Sequence, residues 1–454
     1  MIVPPEGTAM EKKSVKIGMV SLGCPKNQVD AELMLALIRE SGYELTNDAG
    51  MADVVIVNTC GFIESAKQES IDNILEFCAL KQEGKVKCVV VTGCLAERYR
   101  DEILKEIPEA DVVLGIGSNK EIVAAIERGL AGERFSSYGK KTDLPLEGKR
   151  VLTTLPYYAY LKIAEGCSNC CTYCAIPSIR GGFRSRKLDA VVAEAEGLAR
   201  QGVKELVVVA QDTTRYGEDL YGKPMLAELL ARLCRIEGLK WIRTLYCYPE
   251  RITDELLDVI AREEKLVKYL DIPLQHCNKE VLAAMNRAGD RESLTALMKH
   301  IREKIPGITL RTTLIAGFPG ETEEQFAELM EFVHEVEFER LGCFAYSAEE
   351  GTRAALMENQ LPEKVKLRRA DHIMEQQMFI NERKNQAELG KRKTVIVEGY
   401  DKYGGVYFGR TEADAPDIDG KIFFSAEGPL KMGEFVRVQV EDVLDYDLIG
   451  RVAE

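Results

Sequence analysis

The first third of the chain alternates short apolar runs with amphipathic stretches. The apolar runs lie at 15–22, 54–59, 86–93 and 111–116. Strands that alternate with helices in this way predict a parallel α/β sheet. We therefore expect an α/β domain over residues 15–150, preceded by a flexible N-terminal tail over residues 1–14.

The middle of the chain repeats a strand followed by a helix six times. The stretches after the strands have helical periodicity, for example at 321–336. The predicted strands lie at 157–164, 203–210, 240–247, 266–272, 308–315 and 340–346. Six such units predict a partial (βα)6 barrel over residues 151–385, with its chemistry at the carboxyl ends of the strands.

The C-terminal part consists of short β-type runs separated by turn glycines. This part begins with a charged stretch at 361–390, which predicts a long connecting helix. The β-type runs follow at 394–398, 406–410, 421–425 and 435–443. They predict a small, OB-like β-barrel of about five strands over residues 386–454. The fold class is therefore α/β, with an N-terminal α/β domain, a central partial barrel and a C-terminal β-barrel.

Length and charge narrow the class of protein. A chain of 454 residues with 46% apolar residues can form several cores, so about three domains are expected. No apolar run reaches the ~18 residues that span a bilayer, and the N-terminus lacks the pattern of a signal peptide. We expect a cytoplasmic protein without a membrane partner. The net charge of -14 argues against stable nucleic-acid binding.

Four of the 13 cysteines lie together just after the strand predicted at 157–164. In a reducing compartment, clustered cysteines indicate metal binding or catalysis rather than disulfides. Cys167, Cys171 and Cys174 have the C-x3-C-x2-C spacing that holds an iron–sulfur cluster by three thiolates and leaves one iron open. Cys167 with Cys170 and Cys171 with Cys174 could instead form a structural zinc site, although such pairs usually lie about a dozen residues apart. Unliganded thiols are the third alternative.

Three further cysteines each follow a different predicted strand of the first domain. Cys24, Cys60 and Cys94 lie just past the carboxyl ends of these strands, the edge where open α/β sheets build their sites. Thiolates from three strand ends could converge on a second cluster with one free iron. Alternatively these thiols are small buried apolar groups, which is our interpretation of Cys78 and Cys88.

Polar residues are also predicted at the carboxyl rim of the central barrel. They are found at 211–212, 246–248, 276 and 317–321. The glycines of the 317–320 turn are common between a strand and a helix and are weak evidence of a site. His276 either hydrogen-bonds a loop or touches substrate or cofactor. Arg184 and Arg186 are either solvated charges or partners of a carboxylate or cluster. No nucleophile–base pair, phosphate loop or GxGxxG motif stands out in the sequence.

The cysteine loop resembles that of a known enzyme family. A-E-G-C-S-N-C-C-T-Y-C-A-I-P at 164–177 and R-G-G-F-R-S-R at 180–186 resemble the cluster loop of radical S-adenosylmethionine enzymes, in the methylthiotransferase family. The resemblance implies that S-adenosylmethionine is chelated at the open iron, with Tyr173 near its adenine. Position 170 is commonly basic in this family, so we interpret Cys170 as a bystander and not a ligand.

The same family has a glycine motif on the adenine side of the cofactor. T-L-I-A-G-F-P at 313–319 resembles that motif. The resemblance implies that Ile315 and Gly317 bind the cofactor, and we assign Gln211, at the same rim, to cofactor binding as well.

The resemblance covers all three parts of the chain. S-L-G-C-P-K-N-Q-V-D-A-E at 21–32, N-T-C-G-F-I at 58–63 and T-G-C-L-A at 92–96 match the N-terminal methylthiotransferase domain, whose cysteines hold an auxiliary cluster. Gln28 and Ala31 depart from the usual Leu and Ser. The C-terminal barrel resembles the TRAM domain. The cofactors implied are two 4Fe-4S clusters and S-adenosylmethionine, which serves as methyl donor and radical source.

Four segments resemble one subgroup of this family, which methylthiolates the β-carbon of an aspartate in small-subunit ribosomal protein S12. They lie at 21–27, 269–276, 346–352 and 409–420. At position 348 this chain has Ala where the subgroup often has Pro. One alternative is a methylthiotransferase that acts on a modified adenosine of transfer RNA, and another is a non-enzymatic iron–sulfur scaffold. The expected partners are ribosomal protein S12 and an electron donor, reduced flavodoxin or ferredoxin.

The C-terminal barrel is acidic. Residues 391–454 contain 9 Lys and Arg against 13 Asp and Glu. These acids either form a solvated face or attract a cationic partner such as a basic ribosomal protein. On the second interpretation, replacing Asp414, Asp417 and Asp419 by Asn is expected to slow association with that protein.

Overall fold

The computed structural model describes residues 15–453, so the predicted tail over residues 1–14 lies outside the described residues. The described chain folds into two compact units. The first contains residues 15–153 together with Glu165–Ser168 and Cys174–Gly182. The second contains Thr154–Ala164, Asn169–Tyr173 and the chain from Phe183 onward. Within residues 15–453, no helix is long and apolar enough to cross a membrane.

A six-stranded parallel sheet forms the first unit. Its strands are β1 (Lys16–Ser21), β2 (Glu44–Thr46), β3 (Val54–Thr59), β4 (Cys88–Gly93), β5 (Val112–Leu114) and β6 (Phe135–Ser137), in the order β2-β1-β3-β4-β5-β6. Its helices are α1 (Pro25–Glu40), α2 (Glu64–Gln82), α3 (Cys94–Tyr99), α4 (Asp101–Glu106), α5 (Ile122–Leu130) and α6 (Ile176–Arg180). The predicted α/β domain is confirmed. The edge strands β2 and β6 were not predicted, because none of their residues is buried and neither forms an apolar run, unlike the equally short β5.

The central strands are buried throughout because helices cover both faces of the sheet. Every residue of β3 and β4 is buried. Val55 and Val57 pack into a core with Ile74 and Phe77 of α2, and Ile56 packs on the opposite face. Each such side chain contributes about 1.5–3 kcal/mol through burial. A parallel strand covered on both sides shows a continuous apolar run, which is why these strands were predictable.

The second unit also contains a parallel sheet of six strands. They are β7 (Tyr158–Lys162), β10 (Glu205–Val209), β11 (Trp241–Thr244), β12 (Leu266–Asp271), β13 (Thr309–Ala316) and β14 (Arg340–Ala345), paired in chain order. Two-residue strands, β8 (Ala164–Glu165) and β9 (Arg184–Ser185), lie between β7 and β10 in the chain. The helices are α7 (Leu188–Arg200), α8 (Glu218–Tyr221), α9 (Leu226–Cys234), α10 (Asp254–Arg262), α11 (Lys279–Ala284), α12 (Arg291–Lys304) and α13 (Glu323–Val336). This is the predicted partial barrel.

Side-chain caps fix where two of these helices begin. Asp290 and Ser293 form a capping box at α12, and Thr322 and Gln325 form another at α13. Each box satisfies backbone N–H groups that the first helical turn leaves unpaired. The cap at Thr322 therefore ends the rim loop that follows β13.

The C-terminal region is a helix followed by a closed barrel. The helix is α14 (Glu363–Gln386), and the strands are β15 (Arg392–Asp401), β16 (Val406–Thr411), β17 (Ile422–Ser425), β18 (Phe435–Leu444) and β19 (Asp447–Val452), in the order β15-β16-β17-β19-β18. Val395, Ile422, Phe424 and Val438 are among the residues of its core. The predicted five-stranded barrel is confirmed.

The acid at position 414 is not part of a solvated face. Asp414 is buried, and its carboxylate accepts hydrogen bonds from Arg340 Nη2 (2.5 Å) and Thr411 Oγ1 (2.6 Å). Arg340 begins β14, so this contact fastens the small barrel to the parallel sheet.

The neighbouring acids face the sheet as well. Asp419 accepts a hydrogen bond from Tyr269 Oη (2.6 Å), and its side chain is 3% exposed. Asp417 accepts one from Tyr158 Oη (3.1 Å). The expectation of an acidic surface for a basic partner is therefore wrong at positions 414 and 419, whose carboxylates are buried. Asp417 is exposed, and there the expectation stays a prediction. Counting charges cannot separate solvated acids from acids that pair with distant Arg and Tyr side chains.

Replacing Asp414 by Asn is expected to destabilise the second unit by about 3 kcal/mol, because the half-buried guanidinium of Arg340 then loses its buried carboxylate partner. Calorimetry of the thermal unfolding transition measures the effect. Asp445→Asn is the control, since Asp445 is exposed in the turn between β18 and β19 and should change stability by less than about 0.5 kcal/mol. Equal effects of the two substitutions would contradict the structural role of Asp414.

Candidate metal centres and the barrel rim

Three neighbouring strands of the first sheet each end next to a cysteine. Cys24 directly precedes α1, Cys60 follows β3, and Cys94 is the first residue of α3 directly after β4. The strands β1, β3 and β4 are adjacent and in register, with Ser21 opposite Asn58 and Thr59 opposite Gly93. Because parallel strands end at one edge of a sheet, the three thiols lie at the same edge, as the sequence predicts.

Glycines allow the three cysteine loops to pack closely. A Cβ on Gly23 would lie 2.9 Å from Cys60 Sγ, and one on Gly61 would lie 2.7 Å from the backbone N of Leu95. Gly93 has a φ of 95°, and a Cβ there would lie 2.5 Å from the carbonyl O of Thr59. These contacts leave no room for a side chain, so glycine is required at all three positions.

A buried cation lies beside these thiols. Arg180, at the end of α6, is fully buried. Its Nη1 donates to Asp30 Oδ2 (2.9 Å) and Glu165 Oε2 (3.0 Å), and its Nη2 donates to Asn27 Oδ1 (3.2 Å). Asn27 and Asp30 belong to α1, which begins directly after Cys24. The sequence did not reveal this role, because Arg180 is about 150 residues from its partners in α1.

The thiols differ in acidity. Burial raises the pKa of Cys94 to about 12 and also raises that of Cys60, although Arg180 opposes the shift at both. Burial acts on Cys24 too, but Lys26 and Arg180 outweigh it and hold the pKa of Cys24 below its ordinary value. Cysteine binds metals as the thiolate. Three thiols, of which Cys94 is buried and Cys24 and Cys60 are half-buried, lie beside a buried guanidinium. They therefore fit a metal cluster that displaces the remaining protons.

Among residues 15–453, no group of three or more His, Cys, Asp or Glu side chains could hold one metal ion. Cys78 and Cys88 are buried in α2 and β4, inside the apolar cores, as their interpretation as small apolar groups predicts.

The loop with four cysteines follows β7 and β8. Cys167 and Cys171 are buried, Cys174 is half-buried and Cys170 is exposed. Cys170 has a φ of 54°, in the left-handed region. Its carbonyl O accepts hydrogen bonds from Asn286 Nδ2 (3.1 Å) and Arg353 Nη2 (2.9 Å). The backbone of Cys170 thus shapes the loop while its thiol faces solvent.

An aromatic and a cation lie next to Cys171. The Sγ of Cys171 is 3.7 Å from Tyr248 Oη, and the guanidinium of Arg287 lies 4.1 Å from the centroid of the Tyr248 ring. The position of Arg287 beside the cysteine loop was not predicted, because the sequence around this residue contains no motif that indicates a site.

The predicted adenine-side residues meet in one apolar cluster. Tyr173 and Ile315 pack against Phe318 and Tyr346, whose rings are 5.3 Å apart. Gly317 has a φ of 78°, and a Cβ there would lie 2.4 Å from Lys366 Cγ. The structure therefore brings Tyr173 next to the glycine motif.

Gln211 lies just past the end of β10 at the same rim. Within the part of the chain that the structure describes, neither its Oε1 nor its Nε2 has a hydrogen-bond partner, although both atoms are buried. An unmade buried hydrogen bond costs about 1–3 kcal/mol, so the amide fits a ligand that supplies both a donor and an acceptor.

Two other rim candidates have protein partners. His276 is fully buried, its Nδ1 accepts from the backbone N–H of Asn278 (2.9 Å), and its Nε2 is 3.5 Å from Glu321 Oε2. The bond at Nδ1 matches the loop-holding alternative, whereas the buried Nε2 has no hydrogen-bond partner among the described residues. Arg186 is buried and donates to the carbonyl O of Lys162 (2.8 Å), so it is not a solvated charge. Arg184 is half-buried.

Solved structures with a similar fold include the radical S-adenosylmethionine methyltransferase TsrM from Kitasatospora setae. In its complex with tryptophan and a cofactor analogue, the similarity covers 73% of this chain and 74% of that chain, with a TM-score of 0.56 and 14% sequence identity. In the structure with cobalamin and a 4Fe-4S cluster, the TM-score is also 0.56. At this identity the likeness concerns the fold alone.

Three family models match the chain in succession. They are the Uncharacterized protein family UPF0004 over residues 16–115, the Radical SAM superfamily over 161–333 and the TRAM domain over 389–453.

Similar proteins share nearly the full length of the chain. The ribosomal protein uS12 methylthiotransferase RimO of Thermoanaerobacter sp. (strain X514) is 48% identical over 96% of this chain and 99% of its own length. Those of Lachnoclostridium phytofermentans and Pelotomaculum thermopropionicum are each 51% identical over the same shares. The chain therefore belongs to the RimO family of radical S-adenosylmethionine methylthiotransferases.

Proposed function

We propose that this protein adds a methylthio group to the β-carbon of an aspartate in ribosomal protein uS12. The observation that carries the proposal is the near-full-length similarity to proteins named for uS12 methylthiolation, at about half of all positions. The segments that resemble the ribosomal-protein subgroup favour this substrate over a modified adenosine of transfer RNA.

The reaction requires radical chemistry. A β C–H bond is neither acidic nor electrophilic, so acid–base or nucleophilic catalysis cannot activate it. When bound, the two 4Fe-4S clusters and S-adenosylmethionine supply two things: the radical that removes the hydrogen, and the methylthio group that replaces the hydrogen. The protein's own residues bind these groups, orient them and exclude water.

We assign Cys24, Cys60 and Cys94 to the auxiliary cluster, in a domain over residues 15–150. Their common sheet edge, the close glycine contacts between their loops and the buried Arg180 support this assignment. A guanidinium is always charged and offsets part of the negative charge of three thiolates.

We assign Cys167, Cys171 and Cys174 to the radical cluster, in a domain over residues 151–385. The C-x3-C-x2-C spacing supports this assignment. Tyr173, Gln211, Ile315 and Gly317 are proposed to bind S-adenosylmethionine. The apolar cluster around Tyr173 suits an adenine, and the unpartnered amide of Gln211 suits a polar group of the cofactor.

The remaining partners follow from the chemistry. Reduction of the radical cluster requires a one-electron donor, for which we propose reduced flavodoxin or ferredoxin. A ribosomal substrate places the enzyme in the cytoplasm.

The net charge of -14 supports the absence of stable nucleic-acid binding. The C-terminal domain over residues 386–454 keeps exposed acids at Glu441, Asp442 and Asp445.

Mass spectrometry of ribosomal proteins and transfer RNA tests the substrate. Cells that contain the enzyme are expected to show a gain of about 46 Da, a methylthio group in place of hydrogen, on one aspartate of uS12. Cells that express only the Cys171→Ala variant provide the control and should lack this gain. A methylthio group on transfer RNA in its place would support the transfer RNA enzyme instead.

A further inference from the structure

One face of the last two strands of the second sheet is only partly covered by the described residues. Arg311, Thr313 and Ile315 alternate along β13 and are half-buried, whereas the residues between them are buried. Because side chains alternate between the two faces of a strand, these three lie on the same face. On β14, Gly342 is opposite Thr313, and Phe344, opposite Ile315, is 55% exposed. This face therefore remains accessible to a ligand.

Arg311 places a cation on this face, and two carboxylates orient its guanidinium. Its Nη1 donates to Asp271 Oδ1 (2.8 Å), and its Nε is 3.5 Å from Asp419 Oδ1. The same Nη1 donates to Thr313 Oγ1 (3.4 Å), so the guanidinium extends along β13 in the direction of Ile315. None of these contacts uses Nη2. The guanidinium is thus held in place, and Nη2 stays available for an acceptor.

Glycine at position 342 leaves room next to Nη2. A Cβ on Gly342 would lie 4.0 Å from Arg311 Nη2 and 3.9 Å from Phe344 Cε2, with no closer neighbour. By contrast, a Cβ on Gly317 would lie 2.4 Å from Lys366 Cγ. Packing therefore does not require glycine at position 342, as it does at position 317, and the room lies beside a cation.

The same face leads to residues that we assign to the cofactor. Ile315 is one of them, and it packs with Tyr173 against one apolar cluster. Thr313, whose hydroxyl accepts from Arg311, precedes Ile315 on this face by about 7 Å along the strand. A group bound at Nη2 would therefore lie near the cofactor without occupying its place.

We propose that Nη2 of Arg311 binds the side-chain carboxylate of the substrate aspartate. The inference rests on the proposed function, since it takes the aspartate of uS12 as the substrate. Guanidinium groups form charge-assisted hydrogen bonds to carboxylates with geometric specificity. The β-carbon that receives the methylthio group is bonded to this carboxylate, so a fixed carboxylate also fixes the β-carbon. A modified adenine has no carboxylate, and Arg311 would therefore select the protein substrate.

The test compares uS12 with a uS12 variant that has Asn in place of the modified aspartate. Asn keeps the size of the side chain and removes its charge. Dissociation constants are measured anaerobically by fluorescence anisotropy, on the reconstituted enzyme with S-adenosylmethionine and without a reductant. The unmodified enzyme should bind the Asp form about 10- to 100-fold more tightly. In Arg311→Met the two dissociation constants should become nearly equal.

Gly342→Leu tests the same contact without removing the ion pairs of Arg311. The leucine fills the room beside Nη2, so this variant should also lose most of the preference for the Asp form. A Cβ meets only ordinary contacts at position 342, so the variant is expected to fold. It carries the measurement if Arg311→Met, which leaves the buried Asp271 without its cation, is unstable.

Arg232→Met is the matched control. Arg232 also pairs with two carboxylates, those of Asp189 (2.9 Å) and Glu228 (3.1 Å), but it lies on α9. This variant should keep the full preference for the Asp form.

Two outcomes would overturn the inference. The first is equal binding of the two uS12 forms by the unmodified enzyme. The second is an unchanged preference in Gly342→Leu, which would mean that the carboxylate binds elsewhere. Failure of the unmodified enzyme to bind either form of uS12 would overturn the proposed function itself and is therefore distinguishable.

Discussion

Alanine in place of Cys24, Cys60 or Cys94 is expected to remove about four irons per chain and to abolish methylthiolation. Each residue would supply one of only three thiolates, and two thiolates at a sheet edge do not retain a cubane cluster. The variants should still cleave S-adenosylmethionine reductively to 5'-deoxyadenosine, because the radical cluster uses a separate set of cysteines. The expected result is therefore radical formation without product.

Iron analysis, 5'-deoxyadenosine yield and the mass of the substrate protein provide the three measurements. Cys78→Ala is the matched control, because Cys78 is a buried cysteine of the same domain that packs in an apolar core. It should keep all of its iron. A Cys24, Cys60 or Cys94 variant that still methylthiolates its substrate would contradict the assignment of the auxiliary cluster.

The sequence was sufficient to predict strands and the cysteines at their ends, because these patterns are local. Every residue of β3 and β4 is buried, and each strand begins with four consecutive apolar residues. The ends of these strands, and the cysteines at those ends, could therefore be located. Cys60 and Cys94 both follow their strands in the chain. Because parallel strands run in the same direction, both cysteines were predicted at the carboxyl edge of the sheet.

The sequence was insufficient where function depends on contacts between distant residues. Arg180 pairs with Asp30, and Arg287 donates to Pro273 and faces Tyr248, without any spacing in the chain that marks these pairs. The same limitation explains the error at Asp414. Its partner Arg340 is 74 residues away, so the acid appeared to be part of a charged surface when it is buried.

The cysteine loop provides the second large effect, since its four thiols are expected to behave unequally. Alanine at position 167, 171 or 174 should abolish cleavage of S-adenosylmethionine and lower the iron content, because these three residues have the cluster spacing. Alanine at position 170 should leave both nearly unchanged. The thiol of Cys170 is exposed, and its structural contribution comes from a carbonyl that alanine retains.

Cys170→Ala is thus an internal control that differs from Cys171→Ala by one position in the chain. Iron content, the electron paramagnetic resonance signal of the reduced enzyme and the yield of 5'-deoxyadenosine separate the two variants. If Cys170→Ala lost the cluster while Cys171→Ala kept it, the spacing argument would be wrong. Bound zinc with equal loss in all four variants would instead support two adjacent cysteine pairs, because a four-cysteine zinc site requires every thiolate.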